Sequence, residues 1–247
     1  MRHPLSTSGS AGTPQAPGRT PHKARQAPLR CPGAEDQPSE ASEAPGRAPA
    51  REAVNECLAG HPDRLRWNGK YGPGYTASFV PHPLAVEALS MGLPDGPVVD
   101  LACGPSGSAL LAAGGGREVT AVDISEIALR LLGREARRRG LGHLITTRHA
   151  DLGQLHLPPR HYALLLCTGF WDRDVFTGAA ESVAPGGLLA WEAFTTGALR
   201  TRPKLCADWC LAPGEPASLL PVGFEVIRTA DLPDNERGTK RRLLARR

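Results

Sequence analysis

The chain has 247 residues, 40% of them hydrophobic, enough for one sizeable domain, but aromatics make up only 5%, so its core must rest on Leu, Val and Ala. Its 28 glycines and 24 prolines follow no fixed period and its cysteines number only 6, which excludes collagen, a coiled coil and a disulfide-dense scaffold. A formal net charge of +4, from 29 basic and 25 acidic residues, gives little support for a nucleic-acid partner.

Residues 1–50 carry nine prolines and five glycines, and Leu5 and Leu29 are their only large aliphatics. Such a segment cannot bury enough apolar surface to offset the entropy of ordering it, so it reads as a disordered Pro/Gly-rich tail. No apolar stretch near Met1 resembles a secretory signal. Apolar runs such as 163–167 stop far short of the ~20 residues that span a bilayer. The expectation is a cytoplasmic chain without a membrane partner, monomeric or homodimeric, with reduced thiols. Cys206 and Cys210 stand four apart, a spacing that suits one side of a helix, but zinc needs two further ligands and none is evident, so no metal is expected.

Residues 51–247 read as one domain, divided into a cap segment (51–95) and a core (96–247). In the cap, 51–58 suits a short helix, and Trp67-Asn68-Gly69-Lys70-Tyr71-Gly72-Pro73-Gly74-Tyr75 reads as an aromatic-rich loop. A helix is predicted over 83–91, ended by Gly92 and Pro94. The core then alternates. Strands are predicted at 97–101, 118–122, 144–147, 162–167 and 188–194, with two more at 224–230 and 242–244. Helices fall at 108–113, 125–139 and 175–183. Ser125 suits the N-cap of the second of these, and Arg137-Arg138-Arg139-Gly140 suits its last turn and stop. Pro185-Gly186-Gly187 would end the third. This order predicts an α/β, Rossmann-like fold: a parallel sheet with right-handed crossovers and helices on both faces.

Ligands of such sheets bind at the carboxyl ends of the strands. There the chain delivers Asp100-Leu101-Ala102-Cys103-Gly104-Pro105-Ser106-Gly107, then Asp123, then Ala150-Asp151, then Cys167-Thr168-Gly169-Phe170-Trp171. Gly104 lets a ligand approach the backbone closely. Asp123 follows 19 residues later, near the spacing at which a carboxylate accepts from a ribose diol. Asp151 can accept from an exocyclic amino group, with Ala150 and Leu152 as adjoining apolar surface. A dinucleotide cradle needs glycine where Ser106 stands, a Gly-Lys-Ser/Thr clamp is absent, and no Lys or Arg occurs from 98 to 116. A nucleoside without phosphate fits best.

The Val-Asp-Leu-Ala-Cys-Gly, Thr-Ala-Val-Asp-Ile-Ser and Ala-Pro-Gly-Gly segments together resemble the class I S-adenosylmethionine-dependent methyltransferases, over roughly residues 60–247. The resemblance is greatest to the bacterial small-molecule branch related to tellurite-resistance and thiopurine-type enzymes, which also place a Trp and a Tyr before the core. It implies a seven-stranded sheet with its last strand antiparallel and S-adenosyl-L-methionine as cofactor. It implies that Asp100, Ala102 and Gly104 line the methionine end, beside Ser106, which replaces the usual glycine. Asp123, with Ile124 next to it, would hold the ribose, and Asp151 with Leu152 the adenine. The Cys167 carbonyl would take the methionine amino group. Trp67, Lys70 and Tyr71 would cover the cofactor, Lys70 against its carboxylate.

Displacement from a sulfonium needs alignment more than acid–base help, and the sequence displays no catalytic dyad. His82 and Asp172 are the candidate bases. An acceptor pocket is expected near Phe170, Trp171, Asp172 and Phe194, under the loop around Tyr75 and His82, and its aromatic wall suits a small organic acceptor. RNA or protein methylation, prompted by the basic run Lys240-Arg241-Arg242 and by Arg246-Arg247, and a non-catalytic cofactor-binding protein are the alternatives.

Overall fold

The computed structural model describes residues 56–232 and 239–247. The expected tail at 1–50 lies outside them, as does most of the expected helix at 51–58, of which one 3-10 turn, Glu56–Leu58, is described. Seven strands form one sheet: β1 (Val98–Leu101), β2 (Val119–Asp123), β3 (Ile145–His149), β4 (Tyr162–Thr168), β5 (Val183–Phe194), β6 (Glu225–Asp231) and β7 (Lys240–Arg246). Their order is β3-β2-β1-β4-β5-β7-β6. β1 to β5 run parallel, and β7 is antiparallel to both of its neighbours. The fold class and the antiparallel last strand are therefore those expected.

The short apolar runs become central strands because both of their faces are covered. Val99, Leu101, Leu165, Leu189 and Trp191 point to one side, where they meet Phe176 and Ala180 of helix α5 (Arg173–Glu181). Val98, Leu164, Leu166, Leu188 and Ala190 point to the other. There they meet α2 (Pro83–Ser90), α3 (Gly107–Gly114) and α4 (Glu126–Arg138). Each fully buried Leu contributes about 2 kcal/mol. Ser125 caps α4 by accepting from the Ala128 N–H. Gly140, at φ +73°, takes the left-handed position beyond the helix, and Glu135 receives both Arg138 and Arg139.

Three expectations are corrected. Residues 67–75 are not a loop throughout: α1 (Pro62–Tyr71) is a helix capped by the His61 side chain, with Pro62 in its first turn. No residue of α1 is buried, so it carries no apolar stripe to announce it, and Gly72-Pro73-Gly74 is the real break. Pro185-Gly186-Gly187 does not end α5 but lies inside β5. A Cβ on Gly187 would stand 2.9 Å from the Ala184 carbonyl oxygen and 3.0 Å from that of Ala163, so glycine is required by close approach. Cys206 and Cys210 do not share a helix face; they flank the 3-10 turn Ala207–Trp209, and the Cys210 thiol donates to the Cys206 carbonyl.

Cys103, Cys167, Cys206 and Cys210 are free thiols. Cys57 is disulfide-bonded, which departs from the expectation of reduced thiols. Among the described residues no helix is long and apolar enough to cross a membrane, and no cluster of His, Cys, Asp and Glu could hold a metal ion.

Gly107, the first residue of α3, is pressed against the 79–80 backbone: a Cβ there would lie 2.4 Å from the Phe79 carbonyl oxygen. Main chain cannot rotate away as a side chain does. Gly107→Ala should therefore cost about 3 kcal/mol, read as a lower Tm by calorimetry, whereas Gly114→Ala, with open space around it, should not lower Tm.

Candidate functional site

The ends of β1 and β2 and the start of α4 are joined through one carboxylate. Asp123 Oδ2 accepts the Gly104 N–H at 2.7 Å, and Oδ1 accepts the Ser125 N–H at 2.8 Å. Asp123 is buried, which pushes its carboxyl above the ordinary value against the two N–H groups and the nearby His149 and Lys70. Two of its roughly four lone-pair positions remain for a ligand.

Asp100, at the third position of β1, is also buried. Burial raises its pKa to about 7, the Asp123 charge adds to the rise, and a hydrogen bond from Ser106 opposes it. Ser106 Oγ donates to Asp100 Oδ2 at 2.6 Å and accepts the Ala109 N–H at 2.9 Å, so it caps α3. Between these residues the chain turns sharply. Gly104 has φ +59°, and Ala102 has φ +49°, a left-handed conformation that costs a residue with a Cβ about 1–2 kcal/mol. That strain at the site was not legible in the sequence.

Helix α1 lies over this turn. A Cβ on Gly104 would stand 2.9 Å from the Tyr71 hydroxyl oxygen. Burial and the Asp123 charge push the Tyr71 phenol far up, so it stays a neutral hydroxyl. Trp67 stacks on Tyr71 with centroids 5.9 Å apart, and Tyr75 meets Tyr71 edge-on at 5.1 Å. Lys70 Nζ sits 4.5 Å from the Trp67 ring centre; burial lowers its pKa, and the Asp123 carboxylate opposes that shift. Trp67, Lys70 and Tyr71 are thus brought together with Asp100, Ala102, Gly104, Ser106 and Asp123.

What holds α1 there was missed. Arg64 grips Glu126 with two hydrogen bonds, the Asn68 amide donates to both Glu126 oxygens, and Asn68 Oδ1 accepts from the Ser125 hydroxyl at 2.6 Å. His149 Nε2 lies 3.7 Å from Glu126 and 3.0 Å from the Ile124 carbonyl oxygen. The available signal was the four-residue spacing of Arg64 and Asn68, which shares a face once 62–71 is taken as a helix.

The remaining candidates lie around this centre. Asp151 follows β3, where the Ala150 N–H donates to the Asp123 carbonyl. Its Oδ1 accepts the Gly153 N–H, and Oδ2 stands 3.8 Å from His61 Nε2 at the start of α1. Leu152 is buried and lines a cavity of about 160 Å³ with Leu101, Leu155, Leu157 and Val175. Cys167 is buried in β4, in register with Leu101.

The candidate bases serve structure. His82 Nδ1 accepts the Leu84 N–H, which places its proton on Nε2, 3.3 Å from Glu192 Oε2. Neither nitrogen keeps a lone pair for a substrate. Asp172 caps α5 through the N–H groups of Asp174 and Val175. Trp171 is not on the wall of an open pocket either: it is buried against Phe176 and Trp191. Phe194 is half-buried, with the Arg202 guanidinium 4.7 Å and Lys240 Nζ 5.3 Å from its ring centre.

Two outcomes follow from this geometry. An Asp100 carboxyl held near 7 when folded and near the ordinary 3.8 when unfolded stabilises the protein in its protonated form. That stability is complete below about pH 4 and is lost as pH rises through 7. The Tm gained on Asp100→Asn should therefore grow between pH 5 and pH 8, and a gain that is constant across that range would contradict the assignment. Glu126→Ala should speed amide exchange across 62–71 at least tenfold while leaving β1 and β4 protected, as read by mass spectrometry.

A family model described as a methyltransferase domain matches residues 98–187. No curated protein matches the chain. Similar solved structures include a putative sarcosine dimethylglycine methyltransferase from Galdieria sulphuraria, at TM-score 0.56 and 18% identity over 66% of this chain and 83% of that one. The geranyl diphosphate C-methyltransferase from Streptomyces coelicolor A3(2) is similar at TM-score 0.54 and 15% identity, over 66% and 75%. An S-adenosylmethionine-dependent methyltransferase from Mesorhizobium loti is similar at TM-score 0.53 and 19% identity, over 66% and 96%. Residues 98–187 match the methyltransferase-domain model, and the chain has the fold of the class I S-adenosylmethionine-dependent methyltransferases.

Proposed function

We propose that this enzyme transfers a methyl group from S-adenosyl-L-methionine to a small organic acceptor, in the manner of the tellurite-resistance and thiopurine-type branch. The observation that carries the reading is the pair of buried carboxylates, Asp100 and Asp123, beneath the aromatic lid of α1. Two buried carboxyl groups, both raised by burial and one raised further by the charge of the other, favour a ligand that brings positive charge. The cofactor supplies a methyl on a cationic sulfur that leaves as a neutral thioether.

In this reading Asp123 takes the ribose hydroxyls on its free lone pairs, with Ile124 beside it. Asp151 and Leu152 hold the adenine. Asp100, Ala102, Gly104 and the Cys167 carbonyl surround the methionine end. Trp67, Lys70 and Tyr71 exclude water and align the reacting methyl, a contribution worth ~7–11 kcal/mol when geometry is tight. No side chain is assigned as a base, since His82 and Asp172 are both engaged. The acceptor sits by Phe194 and Tyr75, at the ends of β4 and β5.

A nucleic-acid acceptor loses its motive in the structure. Lys240 and Arg242 bind Glu192, Arg241 binds Asp231 and the Glu215 carbonyl, Arg246 binds the Gly186 carbonyl, and Arg247 binds Glu181. The expected outcome is calorimetric binding of S-adenosylmethionine, weakened at least a hundredfold by Asp123→Ala. Labelled methyl should pass to a small molecule of a cell extract, and label recovered only in RNA or protein would refute the acceptor class.

A further inference from the structure

We propose that Ser106 is a positioning residue for cofactor binding, acting through Asp100; the inference rests on the reading above. Ser106 is buried, and its oxygen accepts the Ala109 N–H. That bond fixes the hydroxyl, so its single proton is directed to Asp100 Oδ2. Among the described residues this is the one hydrogen bond that the Asp100 carboxylate receives. Oδ1 is therefore left for the ligand, at a fixed rotation of the carboxylate.

The groups facing Asp100 make that bond count. Asp123 faces it from the end of β2, Cys103 from the loop and Cys167 from β4. Burial keeps both thiols neutral, and Asp123 repels a second negative charge. Lys70 of α1 acts on Asp123. Burial and Asp123 thus both favour protonated Asp100, and the Ser106 O–H is what opposes them. A glycine here would supply neither this donor nor the side-chain cap of α3. In this protein Ser106 keeps the carboxylate charged at the pH where it must face a cationic ligand, and keeps it pointed.

The test is the pH profile of S-adenosylmethionine affinity, measured by calorimetry from pH 6 to 9 on the full chain. Wild type should bind more tightly as pH rises, with an inflection near neutrality. In Ser106→Ala the inflection should move up by about one unit, so affinity falls about fivefold at pH 7 and converges with wild type at pH 9. Ser106→Thr should restore the wild-type profile. If the alanine variant does not fold, Ser106→Gly serves, because glycine keeps most of the N-cap preference. A residue that only capped α3 would weaken binding equally at every pH, and parallel profiles would overturn the proposal. So would a wild-type profile without inflection. Absence of binding by wild type at every pH would instead overturn the methyltransferase reading itself, and this inference with it.

Discussion

A buried carboxylate that accepts two backbone N–H groups is the joint on which the rest of the site turns. The Asp123 side chain reaches back to Gly104 and forward to Ser125, at 2.7 and 2.8 Å. It therefore ties the turn after β1 to the end of β2 and fixes where α4 begins. Ser125 in turn caps α4 with its hydroxyl oxygen and donates to Asn68 of α1. Sheet, helix and lid are thus connected through three consecutive polar side chains, and the apolar core beneath them only has to hold the strand ends in place. Charge-assisted bonds to N–H groups are among the stronger hydrogen bonds, which is what burial of that carboxylate requires.

The opposite end of the strand edge shows how the same problem is solved without a ligand. Glu192 in β5 is almost fully buried. Burial alone would raise its carboxyl, but His82, Lys240 and Arg242 outweigh it and hold the group well below its usual range. Glu192 is neutralised from within the chain, whereas Asp123, with His149 and Lys70 nearby, still sits above its ordinary value, as does Asp100. The contrast between a carboxylate fully matched by the fold and a pair left partly unmatched is the electrostatic signature of a site.

Much of the architecture was legible because its signals are periodic or punctuated. Central strands appear as apolar runs, Ser125 and Gly140 bracket α4, and the carboxylates fall at strand ends where a parallel sheet presents its ligands. α1 was illegible for a physical reason: a helix that buries no residue leaves no stripe, and Asn68 and Gly69 look like turn formers until their partners on α4 are known. The sequence shows Ser106 only as a replacement for the usual glycine, because its two hydrogen bonds need the folded turn to exist. His82 and Asp172 show one residue type suiting two roles. Both residue types suit proton transfer, and both also suit helix caps, the role the neighbouring N–H groups give them.

β7 is the last strand in sequence, yet it lies between β5 and β6. Among the described residues β6 pairs with it alone, and its own side chains remain largely exposed. As the polypeptide leaves the ribosome, β1 to β5 can assemble in order of emergence, while β6 waits without a partner until the closing segment arrives. The half of the sheet beside Phe194 is therefore paired only once β7 has been made, so it is the portion most exposed to interruption of synthesis.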